Sequence, residues 1–254
     1  MNTEIKALAE KGHRVDGRKF DELRKPIKIE TGISNKAEGS AKVTWGNTIV
    51  LAGIKMNVGT PYPDSQDQGV LITGAELSPM SDPKFLPGPP GPAAIELARV
   101  IDRGVRESKM IDMKKLCVRE GELVWTVFLD IYPINNDGNL IDAAALAAVA
   151  ALKSAVFPKL DGDKVLFGEF TKTKIPLNLL PITCTLAKIG SKIVVDPCLE
   201  EEKDFDVRLS VAVSEKGDVH AMQKGGMVGL DISEADEMIK LAVKKSAEIR
   251  KVLK

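Results

Sequence analysis

The chain has 254 residues, 44% of them apolar, so it can bury a substantial core as one large domain or two small ones. Thirty-six Lys and Arg balance 36 Asp and Glu, which excludes a global field toward nucleic acid or membrane; any contact with a nucleic acid would have to come from a local cluster. Three cysteines without metal-ligand spacing (Cys117, Cys184, Cys198) and only two histidines (His13, His220) argue against a histidine metal site or triad and suit reduced thiols in a cytosol.

The segment Met1–Glu10 is polar and amphipathic, with Ile5 and Leu8 at helical spacing before Gly12. It predicts a short helix and lacks the apolar stretch of a signal peptide. The polar segment His13–Lys25 reads as an arm or loop. Ile27, Ile29 and Ile33 alternate in part, and Ala41, Val43 and Trp45 alternate with Ser40, Lys42 and Thr44. Gly46-Asn47 marks a two-residue hairpin, returning through a strand over Thr48–Met56. Residues 59–68 form a polar loop, Val70–Leu77 is a strand, and residues 78–92 hold six prolines, which excludes regular helix or central strand. A loop that long belongs to a functional site or an interface. Pro92 suits the first turn of a helix running to about Ser108. Strands follow at Leu116–Val118 and Leu123–Ile131, the second apolar on both faces and so central.

Asp137-Gly138 turns into an alanine-rich helix over about Leu140–Phe157, whose small side chains all round predict a buried position between layers. Its most apolar stretch, Ala143–Leu152, reaches about half the length of a membrane span, so no membrane partner is expected. Hairpins follow around Gly190-Ser191 (Ile182–Ile189 with Lys192–Val195) and Lys216-Gly217 (Val207–Val213 with Val219–Met222). Gly225, Gly226 and Gly229 break the chain, and Ser233 with Asp236 resembles a capping box opening a last amphipathic helix to Leu253. These elements predict an α+β fold: a single domain over 1–254 made of two similar β-rich halves, approximately 1–158 and 159–254, each with helices on mixed sheets.

Four phrases, in order, carry a family resemblance. Arg14-Val15-Asp16-Gly17-Arg18 resembles the arm that opens subunits of the RNase PH family, and Gly39–Ala52 resembles their first hairpin. The run Pro87–Ser108, with Val124-Trp125 and Asp137–Ala143, is similar to the archaeal non-catalytic branch of that family, found in the exosome. The resemblance implies an RNase PH-like fold and heterodimers with a catalytic RNase PH-like subunit, three of which close into a six-subunit ring. It also implies RNA-binding cap subunits on one face and removal of nucleotides from RNA 3′ ends by phosphate. No cofactor is expected for this chain, and the polar N-terminus, the lack of a membrane span and the unpaired cysteines lead us to expect a cytoplasmic setting.

Arg99, Arg103 and Arg106 follow i, i+4, i+7 spacing and fall within an arc of about 60° on their helix. Leu97, Ile101 and Val105 lie within about 80° on the opposite side. Three guanidiniums on one wet face make a ladder for phosphates; the same residues also read as a solvated face laced by Asp102–Arg106 and Arg103–Glu107 pairs. Relatives use arginines at matching places to steer single-stranded RNA, so the resemblance assigns Arg99, Arg103 and, third, Arg106 to RNA binding.

A phosphorolytic enzyme must hold free phosphate, and a turn into a helix N-terminus supplies N–H groups for it. Catalytic relatives add hydroxyls and an arginine after an aspartate-glycine turn. Here that turn reads Asp137, Gly138, Asn139, Leu140, Ile141, Asp142, with neither. Asp142 also reads simply as a favourable acid in a first helical turn. Asp196, Glu200, Glu201, Glu202, Asp204 and Asp206 form the densest acid cluster, near where catalytic relatives keep functional aspartates; a solvated loop is the preferred reading, and no catalytic residue and no metal site are assigned. Gly225-Gly226 with Gly229 lacks the lysine and hydroxyl of a P-loop and reads as a turn, and Trp45 and Trp125 read as packing residues. The expected function is a non-catalytic, RNA-contacting ring subunit that completes a paralogue's active site; the alternatives are an active phosphorolytic 3′–5′ exoribonuclease and a spacer without RNA contact.

Overall fold

The computed structural model describes residues 3–253. Helix α1 (Thr3–Glu10) lays Ile5 and Ala9 against Ile189 and Val194, joining the start of the chain to its C-terminal half. Strands β1 (Ile27–Thr31), β2 (Gly39–Trp45) and β3 (Thr48–Gly59) then form a meander closed by the Gly46-Asn47 turn. Ile33 lies beyond β1 and is exposed. After β4 (Val70–Ala75) and the proline-rich loop comes α2 (Pro92–Glu107), with Pro92 in its first turn. The short β5 (Cys117–Arg119), the long β6 (Leu123–Asn135) and α3 (Leu140–Ser154) complete the first half. The sheet order is β1-β2-β3-β6-β4, with β5 also on β6; β4 runs parallel to β6 and the other pairs are antiparallel, so the sheet is mixed.

The second half opens with a hairpin of β7 (Val156–Asp161) and β8 (Lys164–Lys174) that has no counterpart in the sequence signals. Its strand β8 is exposed or half-exposed on both sides apart from Val165, and bulged, so no period-two pattern marks it. It displaces the expected end of α3 from Phe157 back to Ser154. Strands β9 (Ile182–Ile189), β10 (Lys192–Val195), β11 (Val207–Val213) and β12 (Val219–Gly225) make a purely antiparallel sheet in the order β10-β9-β11-β12. Helix α4 (Ile232–Arg250) closes the fold. Its capping box uses Asp231 and Glu234, not Ser233 and Asp236: the Asp231 N–H donates to the Glu234 carboxylate at 3.3 Å. Ser233 already lies inside the helix, since the extended backbone ends at Asp231.

Helix α3 is the layer the two sheets share. It touches β2 and β3 on one side and β9 on the other, and its residues from Ile141 to Leu152 are all buried. Alanine makes this possible: a β-carbon at Gly39 would collide with the Ala151 carbonyl, so β2 and α3 approach to backbone distance. One hydrophobic cluster runs from Val43, Ile54 and Leu129 through Leu146 and Leu152 to Ile182, Leu186 and Val211. Each such large side chain contributes about 1.5–3 kcal/mol by leaving water. Trp45 and Trp125 belong to this core, and Cys184 and Cys198 are buried free thiols. Among the described residues no helix is long and apolar enough to cross a membrane.

Candidate nucleic-acid interface

Helix α2 seats Leu97, Val100, Ile101 and Val105 on the core, which turns Arg99, Arg103 and Arg106 outward, all three exposed. Their partners differ. Arg99 has no hydrogen-bond or ion-pair partner among the described residues. Arg103 donates from Nη1 to Gln223 Oε1 on β12 at 2.7 Å, reaching across to the second sheet instead of along the helix to Glu107. Arg106 forks onto Asp102, Nε to Oδ2 and Nη2 to Oδ1 at 2.9 Å each, and Nη2 also reaches the Leu71 carbonyl at 3.0 Å. Asp102 is further held by the Thr73 hydroxyl at 3.1 Å. Thr73, Ala98, Arg99, Asp102 and Arg103 surround a shallow depression of about 240 Å³. The structure thus brings Arg99 and Arg103 to one hollow and draws Arg106 onto Asp102, the carboxylate that also lines it.

The turn into α3 is occupied by the chain's own groups. Asn139, in a left-handed conformation (φ +49°), caps the helix. Its backbone N–H donates to Glu202 Oε1 at 2.7 Å, so a carboxylate already stands where a free anion would meet this turn. Arg24 is the cation nearest by contact. It donates to the carbonyls of Asp137 and Gly138 and holds Asp196 through Nη2 to Oδ1 at 2.8 Å. The Thr48 hydroxyl donates to the Gly138 carbonyl at 2.7 Å. Asp142 is wholly buried and bridges α3 to β9: it accepts from the Thr185 N–H at 2.8 Å and hydroxyl at 2.6 Å. Burial pushes its carboxyl up to about 7.

The acidic run is not a solvated loop, which corrects the expectation. Asp196, Glu201 and Asp204 are buried, and Glu200 is the exposed member. Asp196 accepts from the Arg24 N–H (2.7 Å), Trp45 Nε1 (3.0 Å) and Asn139 Nδ2 (2.8 Å) as well as the Arg24 guanidinium. Burial, the largest single influence, raises its carboxyl, but the Arg24 charge together with the hydrogen bonds from Arg24 and Asn139 outweighs it and holds the group below the usual carboxylate range. Glu201 pairs with Arg14 through two bonds of 2.8 and 2.6 Å. Asp206 receives Lys6 and the Gly190 N–H, on the far side of the hairpin. Neither Asp196 nor Asp206 faces an open anion cradle. Among the described residues no group of three or more His, Cys, Asp or Glu could hold a metal ion.

The arm at 13–25 is correspondingly not a surface arm at its arginines. Arg14 and Arg24 are buried, and each meets an acid of the run at 196–206. The signal that could have revealed this is the coexistence of a basic arm and a dense acid run in a neutral chain: two unlike charge clusters far apart in sequence can satisfy each other. Gly226 follows β12 at φ +87°, where an added β-carbon would collide with the Asp206 carbonyl, so the position needs glycine.

The 3′ exoribonuclease family matches twice, its domain 1 over residues 23–158 and its domain 2 over residues 180–245. Exosome complex component Rrp42 of Methanosarcina mazei is 52% identical over 94% of this chain and 88% of its own length. Among solved structures, a chain of the Archaeoglobus fulgidus exosome with RNA bound to the active site is 42% identical, with a TM-score of 0.90 over 99% of this chain and 97% of that one. A chain of an archaeal exosome core is 40% identical, with a TM-score of 0.85 over 99% and 95%. With the two domain matches falling in chain order on the two sheets, this chain belongs to the 3′ exoribonuclease, or RNase PH, family.

Proposed function

We propose that this chain is a non-catalytic, RNA-contacting subunit of an exosome ring, pairing in the cytosol with a catalytic RNase PH-like paralogue, three heterodimers making a six-subunit ring under RNA-binding caps. It acts as a single unit whose two sheets share one core. The observation that carries the non-catalytic reading is the Glu202 carboxylate on the Asn139 N–H, with Arg24 engaged by Asp196 and two carbonyls. A phosphate arriving there would meet a carboxylate already in place and no unpaired guanidinium. Repulsion between the two anions opposes the docking that phosphorolysis requires. The RNA contact is assigned to Arg99 and Arg103, whose hollow offers one unpaired guanidinium and one held by a neutral amide, with Arg106 as a third, weaker contributor.

The test is phosphate-dependent shortening of a single-stranded RNA. The isolated chain should release no nucleoside diphosphates, and should support their release when reconstituted with the paralogue. Phosphorolysis by the isolated chain that survives removal of contaminants would sink the non-catalytic reading and favour the enzyme.

A further inference from the structure

The six-stranded sheet buries one face under α2 and α3 and turns the other outward. On that outer face, cross-strand pairing sets Gly53, Asp130 and Gly74 in one row, with Lys55, Phe128 and Ile72 in the next and Leu51 beside Tyr132 on the other side. A β-carbon at Gly53 would meet nothing within 4 Å, and one at Gly74 would come no nearer than 3.4 Å, to Asp130 Oδ1. The row is therefore a notch about one side chain wide, with a carboxylate at its centre. Its walls are apolar apart from Lys55, whose ammonium is turned onto the Lys36 carbonyl and Glu38: Phe128 is half-buried, while Ile72 and Tyr132 are 44% and 43% exposed.

Asp130 stands out among the chain's partly or wholly buried carboxylates. Glu38, Asp82, Asp142, Asp196 and Glu201 each receive at least one hydrogen bond, whereas Asp130 has neither a donor nor a cation among the described residues. Lys55, in the neighbouring row, and Lys84, in the adjoining cleft, are engaged elsewhere, on Glu38 at 2.7 Å and on Asp82 at 3.1 Å. Burial raises the Asp130 carboxyl above the usual carboxylate range, and the Tyr132 phenol is raised by burial, then by Asp130 and Glu76. A half-desolvated carboxylate without a partner costs stability and persists where something else satisfies it.

We propose that this notch receives a lysine or arginine side chain of a neighbouring protein subunit, packed between Phe128 and Tyr132 with its charge on Asp130. The proposal rests on the reading of the chain as a member of an assembly. The occupant is protein and not RNA, because Asp130 and Glu76 repel phosphate on this face while α2 presents its arginines elsewhere. A cleft of about 760 Å³, running between the ends of β4 and β6 and the proline-rich loop, continues from Gly74 and Asp130 and leaves room for the segment that carries the cation. The loop gives that segment an apolar surface in Leu86, 82% exposed.

The experiment compares wild type, Asp130→Asn and Gly53→Leu, each melted alone and each co-expressed with the catalytic paralogue and cap subunits for native mass spectrometry. Asp130→Asn should leave the melting temperature of the isolated chain unchanged or raised, because it removes an unpaired charge, yet weaken assembly about tenfold or more. Gly53→Leu keeps the charge but fills the notch, and should weaken assembly as much. Full assembly by both variants overturns the proposal. So does a homodimer of this chain that Asp130→Asn dissolves, or loss of RNA binding by Asp130→Asn in an intact assembly. A wild-type chain that joins no exosome subunit sinks the subunit reading, and the notch with it, before any variant is compared.

Discussion

Arg14 and Arg24 in the arm, and Arg99 and Arg103 on α2, are the same side chain in opposite circumstances. The first two are buried and forked onto Glu201 and Asp196, and they bind the N-terminal arm to the second half. The second two stand in solvent, one unpaired and one held by a neutral amide. Arginine spacing and number do not tell these roles apart. What does is whether an acid of the same chain is placed to take the guanidinium, because a paired buried arginine has no capacity left for a phosphate. The chain thus separates its positive charge into an internal set that holds the fold and an external set open to a ligand.

The strongest way to break this comparison is to remove the acid from the internal set. Asp196→Ala leaves Arg24, Trp45 Nε1 and Asn139 Nδ2 without their common acceptor in a buried site. Stripping one partner from such a pair costs about 3–5 kcal/mol, so urea unfolding should show a loss of that size. A loss under about 1 kcal/mol, the scale of an exposed pair, would show that the arm is not bound as described.

Asp142 sharpens the contrast by pH. Its folded-state value of about 7 lies above that of an exposed carboxylate. Between about pH 4 and 7 the unfolded chain is therefore ionised where the native chain keeps its proton, and stability falls as pH rises through that window, by at most about 1.4 kcal/mol per pH unit. Asp196 works the other way: its value is held low, so its contribution is present above the ordinary carboxylate range and is lost as pH falls through its lowered value. Asp142→Asn mimics the protonated acid, with an amide that can donate to the Thr185 hydroxyl while Thr185 turns its proton to Ser210 at 2.8 Å. Asp130 and Glu202, also raised by burial, add to the slope in the same sense, so denaturation midpoints of this variant should lose the part due to Asp142 between pH 4 and 7; an unchanged slope would remove Asp142 as a source.

Periodicity made much of the fold legible. The alternation at Ala41, Val43 and Trp45, the apolar arc Leu97, Ile101 and Val105, and the alanines of α3 each place a side chain on a face that a neighbouring layer must cover. The exposed arginines of α2 follow from the same arc. The β7–β8 hairpin was not legible, since a strand exposed on both sides carries no period. The internal charge network was not legible for a different reason: Arg24 and Asp196 are 172 positions apart, and no local pattern announces such a partner. Asp130 is similar, because its isolation depends on glycines of two other strands.

The smallest effects lie within the external set, and they test whether pairing decides role even there. In the proposed assembly, Arg99→Ala with Arg103→Ala removes two candidate phosphate contacts, so the dependence of log K on log salt for single-stranded RNA should fall by about 1.4, at ~0.7 per contact. Arg106→Ala should change that slope far less, because Asp102 already neutralises its guanidinium through two bonds of 2.9 Å. The helix loses with that pair about 0.3–0.5 kcal/mol, the worth of an exposed i,i+4 contact. Asp102→Asn should do the reverse, freeing Arg106 and steepening the slope toward a third contact. If Arg106→Ala instead matched the loss from Arg99 and Arg103 together, the carboxylate beside it would be yielding to RNA, and pairing within the chain would no longer separate fold-holding arginines from ligand-binding ones.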